Sequence, residues 1–170
     1  MQTGGLSAFP DAPDSKRVGP KAPEEPFSTA AKEGHDALSP IGTWKRTLLC
    51  ARYALEKNAY DLIVMEVGAL TSVADYFLIC TGRSDTQVQA IVQSIEENLE
   101  RSNIRPLSIE GYKSAQWVLM DYGDVVVHVF YRPVRAFYDL ERLWSRAPRP
   151  TLPEPYLSQA QSLKTGTEGL

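Results

Sequence analysis

Apolar residues recur along this chain at two spacings, and the spacing switches several times. Trp44, Leu48, Ala51 and Leu55 fall at i, i+4, i+7 and i+11, one face of a helix, and Asn58 suits its C-terminal stop. DLIVMEV (61–67) reads as a short buried strand and DYFLICTG (75–82) as a second. Ser84 followed by Gln87 makes a capping-box pattern ahead of Val88, Ile91, Val92, Ile95 and Leu99, which predicts a helix. RPLSIEG (105–111) reads as a strand that Pro106 restricts to an edge or to its own start. WVLMDYGDVVVHVFY (117–131) predicts two further strands about a Tyr122-Gly123-Asp124 turn. Pro133 then suits the first turn of a last helix with Phe137, Leu140 and Trp144 on one face. The order α-β-β-α-β-β-β-α describes an α/β fold, a single-layer mixed β-sheet of about five strands flanked by helices.

Side chains alternate across a strand, so parity sorts the hairpin into two faces. With an even-numbered turn, Val118, Met120, Tyr122, Val125, Val127, Val129 and Tyr131 share one face, nearly all aliphatic and suited to carry helices. Trp117, Leu119, Asp121, Val126, His128 and Phe130 share the other. That second face admits three readings: core beneath further helices, a docking surface, or an acid–base site built on Asp121 and His128. No nucleophile accompanies the last pair. Trp, Phe and Leu beside polar groups match the composition of an interface centre.

Composition narrows the setting. Ten of the twelve prolines lie outside 43–147. Residues 1–42 mix Pro, Gly, Ser and charges without periodicity, and 148–170 read the same way, so both are expected to be disordered tails around a 43–147 domain. A net charge of −3 argues against a mainly electrostatic nucleic-acid binder. Cys50 and Cys80 stand apart from each other and from His35 and His128, which gives no zinc spacing and suits reduced thiols. No apolar run reaches the ~18–20 residues that span a bilayer, and the N-terminus lacks a signal pattern, so a cytoplasmic location is expected.

ADYFLICTGRSDTQVQAI, the Glu110-Gly111 pair, WVLMDYGDVVVHVF and FYDLERLW together resemble the ribosomal silencing factor, or Iojap-like, family over about residues 44–146. The resemblance implies a nucleotidyltransferase-like fold without that chemistry. It also implies binding to the fourteenth large-subunit ribosomal protein, on the face that meets the small subunit. Occupying that face would block subunit joining and repress translation when nutrients are scarce; some members are linked to large-subunit maturation. No cofactor is implied, and monomer or homodimer both fit. On this reading the partner-binding residues are Trp117, Leu119, Asp121, Tyr122, His128 and Phe130, with Trp117 an exposed anchor and Asp121 a charge partner for basic side chains.

Two other classes of function fit the residues less well. A nucleotidyltransferase needs paired carboxylates on a shared metal, and Asp121 and Asp124 lie three apart around a turn with opposite parity. The TGRSD stretch is explained by Gly82 at a turn and Ser84 as a cap. RNA contact would rest on Arg83, Lys113, Arg132 and Arg135, scattered among acids and expected as peripheral contact with ribosomal RNA at most.

Overall fold

The computed structural model describes residues 41–168; the expected N-terminal disorder lies, up to residue 40, outside them. Helix α1 (Thr43–Leu55) leads into β1 (Tyr60–Glu66) and β2 (Tyr76–Gly82), then helix α2 (Asp85–Arg101). Strands β3 (Ser108–Glu110), β4 (Trp117–Asp121) and β5 (Val125–Tyr131) follow, then α3 (Arg132–Tyr138), α4 (Leu140–Leu143) and α5 (Tyr156–Glu168). The five strands form one sheet in the order β1-β2-β5-β4-β3, with β2 and β5 parallel and every other pair antiparallel. The mixed α/β sheet expected from the pattern is therefore present.

Helix α2 begins where the sequence places it. Ser84 Oγ accepts from Gln87 N at 3.0 Å, while Gln87 Oε1 accepts from Arg83 N. Such a cap contributes about 1 kcal/mol. Burial of Val88, Ile91, Val92, Ile95 and Leu99, at about 1.5–3 kcal/mol each, decides whether the helix stays. The cap sets the register, and packing holds it. Gly82 permits the approach: a Cβ there would lie 3.0 Å from Val88 Cγ2 and 3.1 Å from Val88 N.

The hairpin pairs Trp117 with Phe130, Leu119 with His128 and Asp121 with Val126, so both faces expected from parity are present. Tyr122 N donates to Val125 O, and Gly123 turns with φ 90°. Helices α1 and α2 cover the aliphatic face, where Val118, Met120, Tyr122, Val125, Val127 and Val129 join one core. The buried side of α1 is rotated from the expected stripe. Arg46, Thr47, Cys50, Ala51, Ala54 and Leu55 are buried, whereas Trp44 and Leu48 are only partly so. The cause is an ion pair: Arg46 donates to Asp124, fully buried, and Thr43 Oγ1 donates to the same carboxylate oxygen at 2.7 Å.

Two expectations are corrected. The last helix breaks at Asp139, which sits left-handed with φ 45°, so Phe137 is exposed while Leu140 is buried. The chain beyond residue 147 is structured rather than a disordered tail. Pro148 O accepts from Glu66 N on the outer edge of β1, Leu152 is buried, and Tyr156, Leu157, Ala160 and Leu163 pack on the first core. Among the described residues no helix is long and apolar enough to cross a membrane.

Candidate functional site

All six candidate partner-binding residues are buried, which corrects the reading of the second face as an open surface. Trp117 is 0% exposed, not an exposed anchor. Its ring stacks on Phe130 at 4.9 Å and meets Tyr138 at 4.7 Å. Leu119, Val126 and Phe130 join Trp117 in a second core with Met65, Phe77, Ile79, Val134 and Leu140. Tyr122 lies on the opposite face, in the first core, as its parity requires. The Asp139 break turns α4 back over the sheet, and Trp144 closes the layer edge-on to Phe77 at 5.2 Å. Periodicity gave the buried side of each strand; it could not give what lies on top.

His128 is a core residue with a polar partner. Trp117 Nε1 donates to its Nδ1 at 3.2 Å, which places the ring proton on Nε2. Burial lowers its pKa from 6.5 to about 3, because an imidazolium here would lose its hydration without gaining a counter-ion. His128 is therefore neutral at physiological pH and unsuited to pair with Asp121 as an acid–base couple. Asp121 Oδ1 instead accepts from Gly123 N at 2.7 Å and shapes the turn. Asp124 faces α1 and Arg46, so the two carboxylates serve different neighbours and share no metal geometry. Among the described residues no cluster of three or more potential metal ligands occurs. The Cys50 and Cys80 thiols are free and buried, and burial raises both, Cys80 to about 12, so neither is a thiolate nucleophile at neutral pH.

Four large apolar side chains are exposed among the described residues: Leu70 and Leu107 in loops, and, one layer out from the sheet, Phe137 (46%) and Leu143 (60%) on either side of the Asp139 break. Phe137 rests edge-on against Tyr138 at 5.1 Å, and Tyr138 in turn contacts Trp117. A continuous stack of rings thus runs from the buried sheet face to a solvent-facing aromatic. Tyr138 and Leu143 were not singled out from sequence; the Tyr-Asp-Leu step that breaks the helix was the available signal. Of the four basic residues weighed for RNA, Arg83, Arg132 and Arg135 act on the same side chain, Tyr60, whereas Lys113 lies in the β3–β4 connection.

The model of a family described as "Ribosomal silencing factor during starvation" matches residues 43–168, a span that includes α5. The ribosomal silencing factor RsfS of Bacillus subtilis is 47% identical over 93 residues, 55% of this chain and 79% of that protein. A mouse protein named mitochondrial assembly of ribosomal large subunit protein 1 is 30% identical over 93 residues, 53% of this chain and 41% of its own. A crystal structure of a Chromobacterium violaceum protein superposes with a TM-score of 0.61 at 33% identity, covering 62% of this chain and 88% of that one.

Proposed function

The chain belongs to the ribosomal silencing factor family, and from that premise we propose that it binds the large ribosomal subunit through its fourteenth ribosomal protein and sterically blocks subunit joining. Such a block lowers translation when nutrients are scarce and needs no turnover and no cofactor. Family membership supplies the ribosome. The observation that carries the placement is the exposure of Phe137 and Leu143 above a packed aromatic floor. Interface centres favour aromatic and aliphatic anchors on a rigid support, and here Trp117, Leu119, His128 and Phe130 provide that support from below. On this reading Trp117, Leu119, His128 and Phe130 act through the layer they hold, Asp121 and Tyr122 are structural elsewhere in the hairpin, and none of the six touches the partner. The name of the mouse relative favours a second reading, large-subunit assembly, for which the same docking would serve.

The test is co-sedimentation of the purified protein with isolated subunits. Binding to large subunits alone, with fewer joined ribosomes as protein is added, is the expected result. Equal binding to both subunits, or to neither, would sink the proposal.

A further inference from the structure

The helices that follow the parallel pair leave it on opposite faces. β2 ends at Gly82 and enters α2 on one side, while its neighbour β5 ends at Tyr131 and enters α3 on the other. A crevice outside the carboxyl ends of parallel strands, where successive helices diverge, is where open α/β sheets take ligands. At that position lies a cavity of about 340 Å³ lined by Tyr60, Asp61, Thr81, Arg132, Arg135 and Glu141 among others. Its volume sits at the lower end of the roughly 300–1,000 Å³ typical of small-molecule sites.

Two of the lining residues, Tyr60 and Glu141, each hold a buried polar atom without a partner among the described residues. At one end Tyr60 is 6% exposed and its hydroxyl makes no hydrogen bond. The Arg83 guanidinium lies 4.6 Å from its ring centroid, and the charges of Arg132 and Arg83 act on the hydroxyl more strongly than that of Asp61. At the other end Arg135 is locked. Its Nη1 donates to Asp61 O and Thr81 Oγ1 at 2.6 and 2.7 Å, and its Nε to Glu141 Oε2 at 2.8 Å. That leaves Glu141 Oε1 buried without a donor. The N-terminus of α2 contributes little, since Ser84 and Gln87 already close it. The carboxylates divide by position: Glu141 and Asp61 (3.9 Å) are engaged with Arg135, Asp139 sits at the helix break, and the Tyr60 end is basic.

We propose that this crevice binds a nucleotide, its phosphate held by the Tyr60 hydroxyl with Arg83 and Arg132, and its base presenting an N–H to Glu141. A buried donor or acceptor left unmade carries its full desolvation penalty. A ligand with an acceptor at one end and a donor at the other removes both penalties; inorganic phosphate removes only one. Arg83 and Arg132 are exposed, long side chains that swing clear as the phosphate enters beneath them. The nucleotide can be free or one residue of an RNA strand, since both present the same groups. The site stands on the crevice alone and does not rest on the docking proposed above.

The experiment uses the purified full chain without ribosomes, followed by amide chemical shifts at Thr81, Arg83 and Arg132 to Asp139. The probes are adenosine monophosphate, a mixed-sequence RNA octamer and inorganic phosphate. Saturable shifts with the monophosphate or the octamer are expected, with at least a tenfold loss of affinity in Arg132→Glu and about fivefold in Tyr60→Phe. Response to the monophosphate but not the octamer supports a free-nucleotide site; response to the octamer alone supports a strand site. Tyr60→Phe should melt like the parent, because its hydroxyl has no partner to lose. No shifts with either probe, shifts unchanged in both variants, phosphate binding as tightly as the nucleotide, or an early-melting Tyr60→Phe would each overturn the proposal.

Discussion

Replacing Trp117 with alanine separates the buried floor from the docking layer. The side chain is completely buried, stacked on Phe130, tilted against Tyr138, and donates to His128. Removing a buried aromatic of this size costs about 3–5 kcal/mol, through lost transfer energy and the cavity left behind. The orphaned His128 Nδ1 adds up to about 1 kcal/mol, less if water enters the gap. A domain of this length holds roughly 5–15 kcal/mol in total, so a loss of about 4–5 kcal/mol is a large share of it. The melting temperature should fall by roughly 10–20 °C. Trp117→Phe keeps a ring and loses only the N–H and part of the volume, so it should fall about halfway. The opposite behaviour is expected one layer out. Leu143→Ala should change stability by less than about 0.5 kcal/mol, as exposed substitutions do, and Phe137→Ala by about 1 kcal/mol, the worth of its edge-on contact with Tyr138. Each should weaken large-subunit binding by about 2–4 kcal/mol, roughly 30- to 800-fold in Kd. Denaturant melts and subunit co-sedimentation on the same preparations read both quantities. A Trp117→Ala protein with the parent's midpoint and no binding would refute the reasoning, because it would make Trp117 the contact itself.

Three further outcomes follow from the buried groups and the C-terminal segment. His128 titrates at about 3 in the fold and near 6.5 when unfolded, so between those values the unfolded chain binds more protons; its stabilisation is complete above about 6.5 and is lost as pH falls towards 3, by up to about 1.4 kcal/mol per pH unit. Urea midpoints from pH 7 to 4 should therefore fall more steeply for the parent than for His128→Gln, and equal slopes would contradict the burial argument. Arg46→Met leaves Asp124 buried with Thr43 as its remaining side-chain donor and should cost about 3–5 kcal/mol in a denaturant melt, with partial recovery on adding Asp124→Leu. Truncation after Ala147 removes Leu152 and α5, uncovers the first-core side chains they pack against, and should lower stability by about 3–6 kcal/mol; an unchanged melting curve would return that segment to the status of a tail.

How much of this was legible in the sequence follows from what each signal encodes. Period two carries the side of a strand a residue occupies, so the division of Trp117 through Tyr131 into two faces was readable. The Ser84 cap and the apolar stripe behind it are local, and α2 was readable for the same reason. Neither signal encodes the partner that covers a face. Trp117 is buried because Asp139 takes a left-handed conformation sixteen residues after the Gly123 turn and returns Leu140 and Trp144 to the sheet. A left-handed aspartate inside a helical pattern is sterically permitted but weakly signalled. Arg46 was illegible in a different way. Its partner Asp124 is 78 positions distant, and a charged residue on a helix reads as solvated until the opposite charge is placed beside it. The α5 segment was obscured by the prolines that precede it, which mark the turn into the helix and not the end of structure.

The polar residues at the hairpin end show how this α/β frame is committed. Asp121 fixes the turn through Gly123, and Asp124 ties that turn to α1 through Arg46 and Thr43. A carboxylate engaged in this way cannot leave for a metal or a substrate without exposing a buried charge, at a cost of several kcal/mol. The groups that would be catalytic in a pair are thus structural singly, and they hold the sheet against the first helix layer. The groups that face solvent or line the crevice lie elsewhere. Phe137 and Leu143 remain exposed on the outer layer, and Glu141 and Tyr60 remain without hydrogen-bond partners at the crevice. Three of these four residues fall in the segment from Arg132 to Leu143, the fourth faces it across the cavity, and that segment is the one part of the second layer set by the Asp139 break. A rigid sheet therefore presents a short helical strip broken at Asp139, and the recognition argued for this protein resides in that strip.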